Sequence, residues 1–334
     1  MSFISIVIPI LNEEKYIATC LDSVLSSDYP HKNLEILLVD GMSSDGTRDI
    51  IKKYQEKYDF IELIDNEKKI APVAMNLGIR SAKGEYIIRL DAHASYPVDY
   101  FSELIAWSEK LDAQNVGGVV ITDVKNKNKK SNSIKEVLSH KLGVGDSEFR
   151  TGTKELKEVD TVPFGCYKKE IFEKYGYYDE RLVRNQDIEL NKRIINGGGK
   201  IYLIPTIKCT YFARETFISL AKNNYSNGFW NMLTTYYTNT LSSLSLRHFI
   251  PLLFVLSLFL PLILSVVYPK ILWIAILSLG SYLSLVILIS IKLQNNSNSM
   301  LYLTMGFLTL HFSYGLGSLL GVFSVMTKYI KGKK

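Results

Sequence analysis

The sequence predicts an α/β domain with a mostly parallel sheet and flanking helices, followed by an α-helical transmembrane region. In the first half of the chain, short apolar runs alternate with helical segments, which is typical of parallel strands joined by crossover helices. Polar residues follow several of those runs directly, where open α/β sheets bind their ligands. Beyond residue 248 the chain is overwhelmingly apolar, whereas Asp and Glu are concentrated before residue 216. This asymmetry predicts a soluble domain followed by a membrane domain.

Four strands and three connecting helices are predicted before residue 92. The strands are placed at residues 4–10, 35–39, 60–64 and 86–90, which are short apolar runs. The first helix is predicted to begin at Asn12, the second to begin near Ser44 or Asp45, and the third to cover residues 73–82. Because each strand is followed by a helix, the strands are expected to lie parallel.

The middle of the chain is less regular. Residues 123–133 are Lys- and Asn-rich and are predicted to form a mobile loop. Short strands are predicted at residues 159–164 and 200–204, and a helix at residues 188–196. Residues 216–248 form an amphipathic connector rich in Tyr and Phe, which we expect at the membrane surface. The soluble domain is therefore expected to cover residues 1–215.

Three apolar runs predict two to three transmembrane helices within residues 249–327, before a basic tail at residues 328–334. The runs, at residues 249–267, 271–291 and 300–326, contain no Asp, Glu, Lys or Arg. A span needs about 20 apolar residues. The first run is the shortest and carries Pro251 and Pro261, so it is interpreted as a kinked span or a re-entrant segment. Three buried core helices are the alternative, which is disfavoured because charge-free runs of this length are rare in soluble cores.

The orientation of the chain follows from its ends. Residues 1–10 are apolar, but no basic region precedes them and no cleavage site follows, so the soluble domain is expected in the cytoplasm. Three full spans would place the Lys-rich tail outside, against the positive-inside tendency. The tail and the basic run at residues 125–130 are candidates for contact with anionic lipids, although the latter fits a solvated loop equally well.

Acids at two strand ends are the first candidates for chemistry. Asp40 and Asp91 each follow a predicted strand, so their carboxylates are expected to meet at one edge of the sheet. His93 lies two residues beyond Asp91, and together they fit a divalent cation, Mg²⁺ or Mn²⁺, with the imidazole favouring Mn²⁺ somewhat. A helix cap and a surface histidine would explain the same residues without a metal.

A second acidic segment opens the helix predicted at residues 188–196. Asp187 or Glu189 is positioned there to act as a general base for a hydroxyl group. Acids in the first turn of a helix also interact favourably with its dipole, so the position does not by itself require catalysis.

The motifs resemble those of family 2 glycosyltransferases. The run SIVIPILNEE at residues 5–14 is followed by VDG at 39–41 and SDGT at 44–47, and the spacing from Asp40 to Asp91 also fits the family. This resemblance covers roughly residues 1–215. It implies the GT-A fold, with a Rossmann-like nucleotide-binding sheet, and inversion at the anomeric carbon of the donor sugar.

A closer resemblance is to the succinoglycan-type exopolysaccharide glycosyltransferases, which extend lipid-linked saccharides at the cytoplasmic membrane. The segments that carry it are RLDAHA at residues 89–94, GVGDSEFR at 143–150, VDTVPFG at 159–165, RNQD at 184–187 and NYSNG at 224–228. Within GVGDSEFR, Arg150 is a candidate phosphate contact on a closing loop, or else a surface residue of a structural turn.

The family pattern implies a role for each residue that matches its donor-binding motifs. Pro9, Asn12 and Glu13 would line the nucleotide pocket, and Asp40 would hold the uracil or ribose. Asp91 would contact the nucleotide and the metal as the first acid of the family's Asp-x-Asp element.

Two departures from the family pattern concern the metal and the base. His93 replaces the second acid of the Asp-x-Asp element, which leaves the metal open between Mg²⁺ and Mn²⁺. Asp187 takes the place of the catalytic base, while Gln186 replaces the Glu that precedes it. The Gln-x-x-Arg-Trp signature of processive synthases is missing, so single-sugar transfer is expected.

The sequence therefore predicts a multi-pass membrane glycosyltransferase in extracellular or capsular polysaccharide biosynthesis. Its expected donor is a nucleotide sugar, with a UDP-sugar favoured, and its expected acceptor is a saccharide on a polyprenyl diphosphate. Membrane lipids are expected partners, and nucleic acid is not. A membrane-bound nucleotidyltransferase is an alternative, but residues 10–13 lack the Gly-rich basic loop typical of that class. A non-enzymatic membrane scaffold is the other, and it would need no converging acids.

Overall fold

The computed structural model describes residues 1–239 and 244–332. The chain divides into two compact units. The first contains Met1–Ile121 and Glu148–Phe212, and the second contains Thr122–Ser147 and the described part of Ala213–Lys334. Residues 122–147 thus group with the C-terminal helices, although they lie within the segment 1–215 predicted as the soluble domain.

The parallel half of the first unit is formed by four strands, β1 (Ile4–Ile10), β2 (Leu34–Asp40), β3 (Ile61–Asp65) and β4 (Tyr86–Arg89). Their order in the sheet is β3-β2-β1-β4, and all three pairings are parallel. The connecting helices are α1 (Ile17–Leu25), α2 (Thr47–Gln55) and α3 (Ala71–Ser81). β1 and β2 are apolar on both faces because helices cover both sides of the sheet, as is usual for parallel strands.

The other half of the sheet contains antiparallel pairings. Its strands are β5 (Ala94–Ser95), β6 (Asn115–Asp123), β7 (Lys157–Glu158), β8 (Cys166–Lys168) and β9 (Ile201–Phe212). The sheet continues from β4 in the order β8-β6-β9-β5, and β7 pairs with β9. The flanking helices are α4 (Tyr100–Leu111), α7 (Glu148–Thr151), α8 (Glu170–Tyr175) and α9 (Gln186–Asn196). Among the described residues the sheet is therefore mixed, and the predicted parallel pattern belongs to its first four strands.

Two apolar cores lie on the two faces of the sheet. On one face Ile6 and Ile8 of β1 pack with α1 and α4, and on the other Val7 packs with α3 and α9. Gly78 brings α3 close to the sheet, since a Cβ atom there would lie 2.4 Å from a methyl of Val7.

Several elements differ from the sequence-based expectations. The helix expected to open at Asn12 begins at Ile17, because Asn12 has φ 56° and belongs to a loop. The loop expected at residues 123–133 is instead the end of β6 and the start of α5 (Lys129–Ser139), whose first turn is capped by Asn128. Residues 159–164 form no strand. Residues 143–150 include the end of the short helix α6 (Lys141–Val144) and most of α7 rather than one continuous loop.

The second unit contains α5, α6 and four long helices, which are α10 (Phe217–Thr238), α11 (Ile250–Leu264), α12 (Leu272–Leu293) and α13 (Met300–Ile330). Three helical segments in the described residues are long and apolar enough to cross a membrane, at Leu246–Leu264, Pro269–Leu293 and Met300–Ile330. The backbones of helices α10 and α13 are in direct contact. A Cβ atom at Gly228 or Gly317 would lie 2.1 Å from a carbonyl oxygen of the other helix.

We expect Gly78→Ala to destabilise the first unit by about 1–3 kcal/mol, because the added methyl overpacks the contact between α3 and Val7. Ser81→Ala, at an exposed position of the same helix, is the matched control and is expected to change stability by less than about 0.5 kcal/mol. Thermal unfolding of the detergent-purified chain measures both. Equal stability of the two variants would show that the sheet adjusts to the methyl.

Candidate active site

The loops that follow β1 and β2 are joined by hydrogen bonds. The backbone N–H of Asn12 donates to the Ser43 hydroxyl at 2.8 Å, and the Asn12 side-chain oxygen accepts from the Ser44 N–H at 2.9 Å. One residue later, the N–H of Glu13 donates to the Thr47 hydroxyl at 2.9 Å. The left-handed backbone of Asn12 turns the chain into this arrangement, which Asn tolerates better than most residues. The two loops therefore form one ordered rim beside the sheet edge.

Asp40 is enclosed at the base of this rim. Its side chain is 0% exposed, and it accepts from the Ser43 N–H at 3.0 Å and from Arg48 at 2.8 Å. Arg48 also pairs with Asp65 at 2.8 Å, and the hydrogen bonds to Asp65 and Asp40 raise the pKa of Arg48 above its ordinary value. In this arrangement Asp40 orders the loop after β2. Pro9 of β1 lies opposite Val39 of β2, one residue before the last residue of each strand.

Asp91 lies just beyond β4 and is fixed through its backbone. The Tyr96 hydroxyl accepts from the Asp91 N–H at 3.1 Å and donates to the Asp91 carbonyl at 3.2 Å. The side chain is 22% exposed, and its Oδ1 accepts from Arg89 at 3.3 Å. No hydrogen bond among the described residues reaches Oδ2, so one carboxylate oxygen is available to a ligand.

His93 lies against the first loop and an aromatic wall. Its Nδ1 is 3.0 Å from Glu13 Oε1, and its ring makes a T-shaped contact with the Tyr211 ring at a centroid distance of 5.0 Å. Burial alone would lower the pKa of His93, but Tyr211, the Glu13 hydrogen bond and the charge of Asp91 raise it to about 10. Without a metal, His93 is thus a cation paired with Glu13.

The donor set near Asp91 fits a divalent cation that also binds ligand oxygens. Asp91 offers an oxygen and His93 offers its Nε2, while Glu13 holds the other ring nitrogen as carboxylates do beside metal-bound histidines. The described residues contain no group of three or more His, Cys, Asp or Glu side chains able to hold a metal. A cation here would therefore take its remaining ligands from phosphate oxygens and water, which Mg²⁺ commonly does.

Asp187 reaches the same region from the first turn of α9. Its Oδ1 accepts from the Ile188 N–H at 2.9 Å, and its Oδ2 accepts from Arg89 at 3.1 Å, while 29% of the side chain stays exposed. Glu189 differs, because both of its oxygens are bonded to Arg193, at 2.7 and 2.8 Å, and its side chain is only 9% exposed. Of the two acids, only Asp187 is open to a substrate hydroxyl.

The guanidinium of Arg89 links these two parts of the region. It contacts Asp91 through Nη2 and Asp187 through Nη1, and its side chain is 14% exposed. Burial alone would lower the pKa of Arg89, but the charges of Asp91 and Asp187 raise it above its ordinary value. Sequence reasoning assigned Arg89 no role. An arginine inside an apolar predicted strand was the available signal, because arginine is rarely buried without a partner.

Arg150 lies near this region as well. Its guanidinium covers the Tyr211 ring at 5.3 Å, and the same ring contacts His93. Asp146, from the same predicted motif, pairs instead with Arg247 in the second unit. The structure thus brings the predicted site residues to the edge of the sheet where the parallel strands end; these residues are Pro9, Asn12, Glu13, Asp40, Asp91, His93 and Asp187. Residues 143–150 are instead divided between the two units.

The first unit is an α/β domain with acids gathered at one edge of its sheet, and comparison with known proteins gives its family. The glycosyl transferase family 2 model matches residues 5–176. The chain belongs to that family and is a glycosyltransferase. The nucleotidyltransferase and scaffold alternatives are thereby set aside.

Two relatives illustrate the similarity. A dolichyl N-acetyl-α-D-glucosaminyl phosphate 3-β-D-2,3-diacetamido-2,3-dideoxy-β-D-glucuronosyltransferase of Methanococcus voltae is 35% identical over 68% of this chain and 72% of its own length. The succinoglycan biosynthesis protein ExoA of Rhizobium meliloti is 30% identical over 64% of each chain. The predicted kinship with exopolysaccharide glycosyltransferases is confirmed.

Solved structures confirm the GT-A-like fold. The mannosyltransferase PcManGT from Pyrobaculum calidifontis, in complex with GDP-Man and Mn²⁺, has a TM-score of 0.55 and 17% identity over 100% of this chain and 88% of its own. TarS 1–349 of S. aureus in complex with UDP-GlcNAc has a TM-score of 0.53 and 17% identity over 99% and 92% of the two chains. At this identity the likeness concerns the fold alone.

We expect Arg48→Met to destabilise the first unit by about 3 kcal/mol, because Asp40 would keep a buried charge without its cation. Adding Asp40→Asn to Arg48→Met should recover part of that loss, since the uncompensated charge is then removed. Lys52→Met on the same helix, at a side chain 65% exposed, is the control and should change little. Denaturant unfolding measures all three. No recovery in the double variant would contradict the electrostatic explanation.

Proposed function

We propose that this glycosyltransferase moves one sugar from a nucleotide-sugar donor, preferably a UDP-sugar, to a saccharide acceptor on a polyprenyl diphosphate, with inversion at the anomeric carbon. The observation that carries the proposal is the convergence of Asp91 and Asp187 on one guanidinium, with Asp91 in the family's donor motif and Asp187 in its base motif. A donor-side acid and an accessible base within one site are what a single displacement requires.

The rim formed by the first two loops supplies the nucleotide pocket in this proposal. Pro9, Asn12 and Glu13 would line it, and Asp40 would act at its base on the uracil or ribose. Because the Ser43 hydroxyl and Arg48 already occupy the Asp40 carboxylate, a base or ribose would have to replace or supplement the Ser43 contact. The ordered hydrogen bonds between the loops mean that little conformational entropy is lost when the nucleotide binds.

Asp91 and His93 would hold a divalent cation, Mg²⁺ or Mn²⁺, which would neutralise charge on the departing diphosphate. The chain's own contribution is to present these donors rigidly. Tyr96 fixes the backbone of Asp91, and Glu13 fixes the ring of His93. Binding of a metal to His93 requires loss of the imidazole proton, so the cation competes with that proton.

Asp187 would remove the proton of the acceptor hydroxyl as its oxygen attacks the anomeric carbon from the face opposite the leaving diphosphate. The Ile188 N–H and Arg89 fix both carboxylate oxygens, and each oxygen keeps a lone pair for the incoming hydroxyl. One attack by one activated oxygen inverts the anomeric centre. Absence of the processive signature agrees with a single transfer per binding event.

The membrane region supports a lipid-linked acceptor. Three helical segments are long and apolar enough to span a bilayer, and we propose that they anchor the enzyme with its catalytic domain on the cytoplasmic side. The Methanococcus voltae relative is named for a dolichyl-phosphate-linked substrate, and the Rhizobium meliloti relative for succinoglycan biosynthesis. The first name favours a polyprenyl carrier, and the second favours a polysaccharide pathway. Membrane lipids would surround the apolar helices, and nucleic acid is not among the proposed partners.

We expect Asp187→Asn to lower kcat by about 100-fold or more, because the amide cannot accept the hydroxyl proton. The KM for the donor should stay within about threefold, since Asp187 lies on the acceptor side. Mass spectrometry of the glycolipid formed from a panel of nucleotide sugars and native lipid extract gives the rates and identifies the donor. Asp49→Asn, at a side chain 80% exposed, is the control. A wild-type kcat for Asp187→Asn would exclude it as the base.

We expect Mn²⁺ to bind to the wild-type protein in the presence of a nucleoside diphosphate, and Asp91→Asn to weaken that binding by about tenfold or more, because it removes an anionic ligand. His93→Gln should weaken Mn²⁺ binding as well. Asp49→Asn, at an exposed side chain, is the control and should leave Mn²⁺ binding unchanged. Electron paramagnetic resonance of free Mn²⁺ measures the affinity without turnover. Unchanged affinity in both site variants would place the metal elsewhere.

A further inference from the structure

Arg89 occupies an unusual place for a guanidinium. It is the last residue of β4, in register with Val7 of the central strand β1, and its side chain is only 14% exposed. Its Nε is buried and has no hydrogen-bond partner among the described residues. Burying an arginine with one unsatisfied N–H is unfavourable, so apolar packing does not account for this position.

The two acids that Arg89 contacts come from distant parts of the chain. Asp91 Oδ1 lies 3.3 Å from Nη2, and Asp187 Oδ2 lies 3.1 Å from Nη1. Two carboxylates that share a partly buried site repel each other, and a guanidinium between them offsets that repulsion. The planar fork of arginine bonds both acids at once, which a lysine ammonium cannot do in the same geometry.

We propose that Arg89 is the positioning residue for Asp187, holding the base at a fixed distance from the donor-side acid Asp91. This inference rests on the proposed function, because it takes Asp187 as the base. The two oxygens of Asp187 are held from different directions, Oδ1 by the N–H of Ile188 in α9 and Oδ2 by Arg89 in β4. Among the described residues, loss of Arg89 leaves the Asp187 side chain only its contact within α9, so the carboxylate is free to rotate away from the sheet.

A merely structural ion pair makes a different prediction from a positioning residue. If Arg89 only stabilises the fold, its removal lowers the melting temperature while the surviving folded protein keeps its kcat. If Arg89 positions the base, its removal lowers kcat in protein that is folded and still binds nucleotide. Arg193 provides the structural comparison, because it binds both oxygens of Glu189 on the same helix α9 without touching Asp91 or Asp187.

The experiment compares Arg89→Met, Arg89→Lys and the control Arg193→Met in full-length, detergent-purified protein. We expect Arg89→Met to lower kcat by about 100-fold through misplacement of the base. Its dissociation constant for UDP, measured by calorimetry without acceptor, should change less than about threefold. Arg89→Lys, which keeps the charge but not the fork, should lose about tenfold in kcat. Arg193→Met should lower the melting temperature and keep kcat within about threefold.

A second measurement requires no turnover and remains informative if Arg89→Met fails to fold. It compares the melting temperatures of ligand-free Asp91→Asn, Asp187→Asn and the double variant. With Arg89 in place, the double variant should lose more than the sum of the single losses, because it leaves a buried guanidinium without any anion. Additive losses would overturn the bridge.

Failure of the inference can be told apart from failure of the proposed function. If Asp187→Asn keeps the wild-type kcat, the base assignment fails and the inference fails with it. If Asp187→Asn loses kcat while Arg89→Met retains it, the proposed function stands and the positioning role is overturned. Equal weakening of UDP binding and kcat in Arg89→Met would also overturn it, since Arg89 would then act on the donor.

Discussion

The parallel register of β1 with its two neighbours is the constraint on which the site depends. Ile10 pairs with Asp40 across β1 and β2, and the N–H of Leu90 donates to the Val7 carbonyl at 3.0 Å between β4 and β1. Because parallel strands end at the same edge, these pairings bring loops that are far apart in sequence to one edge of the sheet. A one-residue slip of β4 would turn Arg89 and Asp91 to the other face of the sheet.

Arginine bridges between pairs of acids recur along that edge. Arg48 joins Asp40 to Asp65, while Arg89 joins Asp91 to Asp187, and in both cases at least one acid comes from another element. Each bridge sets a guanidinium between two carboxylates and so offsets the repulsion between them. The first bridge stabilises the loop beneath the proposed nucleotide pocket, and the second lies between the proposed leaving-group and acceptor sides.

Much of the fold could be predicted from the sequence because its signals are local. The strand at residues 4–10 has the bounds that its apolar run indicates, and the three long apolar runs coincide with helices of membrane-spanning length. The loop after β1 was misjudged as a helix start, because its conformation depends on hydrogen bonds to Ser43 and Thr47, over thirty residues away. Residues 123–133 were misjudged for a related reason, since composition indicated a loop while Asn128 caps a helix. The contact between Arg89 and Asp187 could not be predicted either, because the two residues are 98 positions apart in the chain.

Helix α5 carries a practical consequence for anyone who wishes to produce the catalytic part alone. Val137 of α5 packs with Val286, Leu303 and Phe307 of the C-terminal helices, and the Asn132 side chain donates to the Ser297 carbonyl at 2.9 Å. A fragment that stops at residue 215 would keep α5 but lose all of these partners. It would present an uncovered apolar stripe to water, and such stripes promote aggregation. Removing the apolar C-terminal helices is therefore not enough to make a soluble fragment, because helix α5 in the middle of the chain would still expose its apolar side.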